Sequence, residues 1–183
     1  MKDPIDAICI DDCNNFRSKH TGILKLLASM GYLRKVIEAR NVEEAFDLLE
    51  VHYSGLRIGT GIIDYHLGND PETGKQYHTG LDFMTAMFVA NPRASFVLAT
   101  PRSNTMLLGE TVARIGGYAV PKTIRPAELA EQVKIAIGDY HAHPEQVELR
   151  RASFDQRYGS QLGGQTGNFE RDRGTGLYLP SNN

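Results

Sequence analysis

Five times along this chain a short strand-like run stops and gives way to apolar residues at helical spacing. Ile5 to Ile10 ends at Asp11-Asp12, and Phe16, Ile23, Leu24, Leu27 and Met30 then recur with helical period until Gly31. Leu33 to Ala39 is the second strand, followed by Val42, Ala45, Phe46 and Leu49 on one face of a helix that Asn41 is placed to cap. Arg57 to Tyr65 is the third strand, carrying Asp64, and Leu81, Met84, Met87 and Phe88 mark a helix closed by Asn91-Pro92. Phe96 to Thr100 is the fourth strand, with Met106, Leu107, Val112 and Ile115 on the helix after it and Gly116-Gly117 at its end. Tyr118 to Pro121 is a short fifth strand, and Leu129, Val133, Ala136, Ile137 and Tyr140 form a last helix entered through Pro126. Strict β/α alternation implies a doubly wound α/β fold, a five-stranded parallel sheet with helices on both faces.

That architecture says where chemistry gathers. In an open parallel sheet, ligands sit at the carboxyl ends of the strands, where loops converge and helix N-termini present their N–H groups. The residues predicted there are Asp11 and Asp12, Asp64, Thr100 and Lys122. Three carboxylates at one mouth repel one another unless a hard cation with oxygen ligands holds them, which suits Mg2+. A hydroxyl and an ammonium beside them match the needs of a transferred phosphoryl group.

Composition narrows the partners. Among 183 residues, 20 Lys+Arg face 22 Asp+Glu for a net charge of −2, so broad electrostatic binding to nucleic acid or an anionic membrane is not expected. No apolar run is long enough to span a bilayer and the N-terminus lacks a signal-peptide pattern, so a cytoplasmic protein is expected. Cys9 and Cys13 read as ordinary thiols, and the histidines, including His66, His78, His141 and His143, lack the acids or cysteines at ligand spacing that a transition metal requires. Gly116-Gly117 is not followed by a phosphate-loop lysine.

In order, ICIDDCNNFR, VIEARNVEEAFDLL, GIIDYHLG, TGLDFM, VLAT and GGYAVPK resemble the motifs of a response-regulator receiver domain of two-component signalling, over roughly residues 4 to 141. The resemblance implies the flavodoxin-like strand order 2-1-3-4-5. It implies that Asp64 accepts a phosphoryl group from a histidine kinase or phosphotransfer protein, and that Mg2+ is held by Asp11, Asp12, Asp64 and the backbone carbonyl of His66. Lys122 would pair with the phosphoryl oxygens and Thr100 would bond one of them, moving the loop after its strand. His66 and Arg102 occupy positions that modulate access of the water that removes the phosphoryl group.

The chain also departs from the family pattern. Asp64 and Gly80 are 16 positions apart, about twice the usual distance, which makes the polar stretch from 68 to 79 an insertion beside the mouth, expected to shield Asp64 or select a partner. Thr123 stands where the family has a proline after the lysine, and Pro101 where a small residue follows the switch hydroxyl. The aromatic switch position is Ala119, with Tyr118 next to it. Either the fifth strand is shifted by one residue or the coupling of Thr100 to an aromatic ring is altered.

From residue 142 onward, five acids balance five arginines, and after about Ser160 the sequence is rich in Gly, Gln, Asn and Thr. The expected organisation is a receiver over 1–141 and an extension over 142–183, with a short helix at about 145–158 and then a flexible Gly-rich tail. The extension is too short for a DNA-binding or catalytic output module. A stand-alone receiver with no direct nucleic-acid contact is therefore expected, signalling through a protein partner or as a homodimer. Arg150-Arg151-Ala152-Ser153 has the look of a kinase substrate string of the kind that arises by chance. Two competing readings are a pseudo-receiver that is never phosphorylated and a haloacid-dehalogenase-like Mg2+-dependent phosphatase. The latter needs a second aspartate two residues after its nucleophile, where Cys13 follows Asp11.

Overall fold

The computed structural model describes residues 3–52, 58–68, 79–142, 169–171 and 178–180. In chain order the elements are β1 (Ile5–Ile10), α1 (Asn14–Ser29), β2 (Leu33–Ala39), α2 (Val42–His52), β3 (Ile58–Asp64), α3 (Gly80–Ala90), β4 (Ser95–Thr100), α4 (Arg102–Arg114), β5 (Tyr118–Pro121) and α5 (Pro126–Tyr140), then β6 (Phe169–Arg171) and β7 (Tyr178–Pro180). The first five strands form one parallel sheet in the order β2-β1-β3-β4-β5. This is the flavodoxin-like order expected from the motifs.

Burial explains the order. Every residue of β1, β3 and β4 is buried, as a strand covered by helices on both faces requires. The edge strand β2 instead alternates, with Arg34, Lys35 and Glu38 exposed. Odd and even strand residues supply two separate cores. Ile8, Ile10, Ile63, Phe96 and Leu98 pack with α2, α3 and α4, whereas Ala7, Cys9, Ile62, Val97 and Val120 pack with α1 and α5. The first core centres on Phe83, whose ring lies 5.5 Å from Phe46 and 5.8 Å from Phe96.

Local chemistry sets the helix starts. Glu44 donates its backbone N–H to Asn41 Oδ1 at 2.8 Å, the cap expected for α2. Thr79 and Asp82 close a capping box at the head of α3, with Thr79 N–H donating to Asp82 Oδ2 at 2.6 Å. Pro126 is the first residue of α5.

Two helical faces differ from the sequence reading. Met106 and Leu107 are 91% and 77% exposed, because the buried stripe of α4 runs through Leu108, Val112 and Ile115 at i, i+4 and i+7 and leaves the earlier pair outside it. Met30 is 54% exposed, since it caps α1 beyond the last turn of the buried face formed by Ile23, Leu24 and Leu27. Within the stretch read as a flexible tail, β6 and β7 pair antiparallel, with Glu170 opposite Leu179. The helix expected at about 145–158, the insertion residues 69–78 and Arg57 at the start of the third strand lie outside the described residues. Among the described residues no helix is long and apolar enough to cross a membrane.

Candidate functional site

The ends of the three central strands and of the edge strand β5 meet at one mouth. Asp11 follows β1, Asp64 is the last residue of β3, Thr100 is the last of β4 and Lys122 follows β5. Asp64 is paired with Ala99 across the sheet and Thr100 with Pro121, so each functional residue stands one strand from the next.

Asp64 is fully buried, and both of its oxygens are engaged. Lys122 Nζ donates to Oδ2 at 2.6 Å, and the His66 N–H donates to Oδ1 at 3.2 Å. Burial pushes its pKa up from the ordinary 3.8 to about 6. The hydrogen bond and charge of Lys122 pull the other way, nearby Asp11 adds repulsion, and the His66 N–H favours the anion. The carboxylate is thus kept close to neutralisation in a site that its lysine only partly compensates.

Asp11, Asp12 and Asp64 each offer an oxygen within 4.8 Å of the others. Asp11 and Asp64 are buried and Asp12 is exposed, so the cluster opens to solvent on the Asp12 side. Two observations fit a hard divalent cation. Asp11 Oδ2 is buried without a hydrogen-bond partner. Gly68 approaches Asp12 so closely that a Cβ there would lie 2.9 Å from Oδ2, at a φ of +74° that L side chains rarely adopt. The chain after Asp64 therefore folds tightly over the carboxylates, and an all-oxygen donor set of this charge suits Mg2+.

Gly80 packs directly behind Asp64. A Cβ at this position would lie 2.1 Å from the Asp64 carbonyl oxygen and 2.7 Å from Ile63 Cγ2, so the first turn of α3 presses directly on the end of β3. Gly80 N–H also donates to the Tyr65 carbonyl at 3.2 Å. These contacts give a physical reason for glycine in the TGLDFM motif.

Thr100 Oγ1 is buried and has no hydrogen-bond partner, which leaves a donor free at the mouth beside Asp64. Lys122 N–H donates to the Thr100 carbonyl at 2.9 Å, continuing the β4–β5 ladder past Pro121, and no cis peptide occurs among the described residues, Lys122-Thr123 included. Pro101 and Arg102 are exposed at the start of α4. The His66 side chain is exposed, with its ring 4.6 Å from that of Tyr65.

The strand register decides between the two readings of the missing aromatic switch. Leu98 pairs with Ala119 in an unshifted ladder, and Ala119 packs on the α4 side. Tyr118 points to the opposite face, where its hydroxyl donates to Asp139 Oδ2 on α5 at 2.6 Å. Tyr118 therefore does not stand in for a ring at the position that Ala119 occupies.

The sequence reading missed α1's contribution. Phe16 lies under Lys122, whose Nζ is 5.1 Å from the ring centroid, and one turn later His20 is buried with Nδ1 at 3.3 Å from Asp11 Oδ2. The two rings are 6.0 Å apart. A signal existed in the sequence. His20 stands at i, i+3, i+4 and i+7 with Ile23, Leu24 and Leu27, so it is a polar residue on the apolar face of its helix. Cys9, in contrast, is a buried thiol that burial pushes up to about 12, and both cysteines are free.

No protein-family model matches the sequence, and no curated protein matches it either. Solved structures do match. The receiver domain of NtrX from Brucella abortus superposes with a TM-score of 0.56 at 18% identity, over 73% of this chain and 98% of that one. The BeF3-activated DrrB receiver domain gives 0.53 at 18% identity, over 74% and 98%. A chain of the CheX-CheY-BeF3-Mg2+ complex from Borrelia burgdorferi gives 0.52 at 15% identity, over 72% and 88%. The chain has the fold of response-regulator receiver domains.

Proposed function

We propose that this protein is a phosphoacceptor receiver of a two-component phosphorelay, with Asp64 as the acceptor. The observation that carries the reading is the meeting of Asp64, Lys122, Thr100 and the Asp11–Asp12 pair at the carboxyl edge of a receiver-fold sheet. An Asp64 oxygen attacks the phosphorus of a phosphohistidine on a kinase or phosphotransfer protein. The P–N bond breaks, its electron pair stays on the imidazole nitrogen, and an acyl phosphate forms on Asp64.

The chain's own groups account for most of the requirements. The His66 N–H fixes one carboxylate oxygen. Lys122, now 2.6 Å from the other, is in reach of the phosphoryl oxygens as Asp64 gives up its negative charge to the new bond. The partnerless Thr100 hydroxyl is a donor for a further oxygen. Asp11, Asp12 and Asp64, with the His66 carbonyl, would hold Mg2+, which supplies charge neutralisation for the incoming phosphoryl group. His66, exposed after β3, and Arg102, exposed at the start of α4, would modulate the water that later removes the phosphoryl group.

Output then leaves through a protein surface, to a partner or a second copy, in a cytoplasmic setting. The exposed Met106 and Leu107 of α4 supply apolar surface for such a contact. With Ala119 at the switch position, movement of Thr100 has no aromatic ring to displace, so activation is expected to act on the backbone after β4 itself. Stiffening by Pro101 bears on the same segment.

The test is intact-mass spectrometry after incubation with a small acyl-phosphate or phosphoramidate donor and Mg2+. One phosphoryl adduct is expected, labile to hydroxylamine and absent from Asp64→Asn. Partner binding with no adduct on Asp64 would establish the pseudo-receiver instead. Steady release of phosphate that survives Asp64→Asn and is lost in Asp11→Asn would establish a phosphatase.

A further inference from the structure

His20 lies outside the motif residues, and its surroundings give it a role. It is 1% exposed on the inward face of α1, among positions filled by Ile23, Leu24 and Leu27. An apolar residue would fill that place without the cost of desolvating an imidazole. Its Nδ1 faces Asp11 Oδ2 at 3.3 Å, too far off line to count as a hydrogen bond, and each of these buried atoms is without a hydrogen-bond partner. Asp11 is otherwise held on one side only, by the Cys13 N–H donating to Oδ1 at 3.0 Å. One turn earlier on α1, Phe16 packs beside His20 and under Lys122.

We propose that His20 is a positioning residue for the cation site: its buried Nδ1 faces Asp11 Oδ2 and, by donating to it when the site is loaded, fixes the orientation in which that carboxylate joins Asp12 and Asp64 in holding Mg2+. This rests on the reading of the three carboxylates as a Mg2+ site. A hydrogen bond between the two facing atoms in the loaded site would satisfy two polar groups that are otherwise buried unpaired. Groups that orient a metal-binding carboxylate or imidazole in this way carry roughly 10- to 100-fold of metal affinity.

The test is calorimetric titration of Mg2+ into the full unphosphorylated chain, with thermal unfolding run in parallel. His20→Leu is expected to weaken Mg2+ binding by roughly tenfold or more. His20→Asn, whose amide nitrogen takes the place of Nδ1, is expected to restore most of the affinity. His20→Gln, whose nitrogen lands nearer Nε2, is not. In nitrogen-15 spectra, the His20 imidazole of the wild type is expected to carry its proton on Nδ1. Wild-type affinity in His20→Leu, or equal losses in the Asn and Gln variants, overturns the role of His20. Absence of Mg2+ binding to the wild type, or an unchanged affinity in Asp11→Asn, overturns the cation site and this inference with it. If His20→Leu does not fold, the Asn against Gln comparison decides.

Discussion

Asp64→Asn is expected to stabilise the folded protein, and by an amount that depends on pH. Asp64 is fully buried, and its pKa is pushed from 3.8 to about 6, chiefly by desolvation. Below about pH 4 the carboxyl is protonated in both the folded and unfolded chains and costs nothing. Between about pH 4 and about pH 6 the unfolded chain has released the proton while the folded chain still holds it, so stability falls as pH rises. Above about pH 6 the folded carboxylate is charged and the full penalty is present. A displacement from 3.8 to about 6 corresponds to about 3 kcal/mol. Asparagine resembles the protonated acid in shape and cannot ionise. The two proteins should therefore unfold at the same urea concentration near about pH 4, and the variant should be more stable by about 3 kcal/mol near about pH 8. Saturating Mg2+ at the higher pH should narrow the gap, because it binds the folded wild type and a hundredfold excess over its dissociation constant is worth about 2.7 kcal/mol. The measurement is urea unfolding followed by circular dichroism across the pH range, with and without Mg2+. A gap that is the same at both ends, or that favours the wild type at high pH, would refute the claim that the site holds a desolvated carboxylate at the expense of stability.

Two further substitutions probe the supports of the site. Gly80→Ala drives a Cβ to within 2.1 Å of the Asp64 carbonyl oxygen, a clash with backbone that no side-chain rotation relieves, so a loss of several kcal/mol, roughly the upper range for single substitutions, is expected in urea unfolding. Unfolding midpoints matching the wild type would show that α3 does not press on β3 as described. Tyr118→Phe removes the 2.6 Å bond to Asp139 and should cost about 1 kcal/mol of stability while leaving phosphorylation of Asp64 at the wild-type rate. A changed phosphorylation rate would place Tyr118 in the switch after all.

The strand ends were legible because the second half of a parallel strand covered on both faces is apolar, so the polar residue that stops it marks the edge where ligands bind, whereas a polar residue at the start of a strand, such as the buried Asp6, marks nothing of the kind. Asp11, Asp64 and Thr100 are all fully buried at those ends, directly after Ala7–Ile10, Ile62-Ile63 and Phe96–Ala99. Less legible was anything that depends on the side to which a residue points. Met106 and Leu107 belong to a helical pattern in sequence, yet a phase difference of one or two residues puts Leu108, rather than either of them, on the buried stripe with Val112 and Ile115. His20 was visible as a polar residue on an apolar stripe, but nothing in its spacing from Asp11 says that the two side chains meet.

By itself, the order of apolar runs and polar stops determined the architecture, the edge that carries the chemistry and the residues gathered there. Periodicity and strand burial are local properties, written in consecutive residues. Tertiary structure alone decided that Tyr118 is tied to α5 while Ala119 faces α4, that Lys122 reaches Asp64 across β4, and that α1 brings Phe16 and His20 against the site. These depend on the register between strands and on the phase of a helix against the sheet. Both are set by packing among residues far apart in the chain.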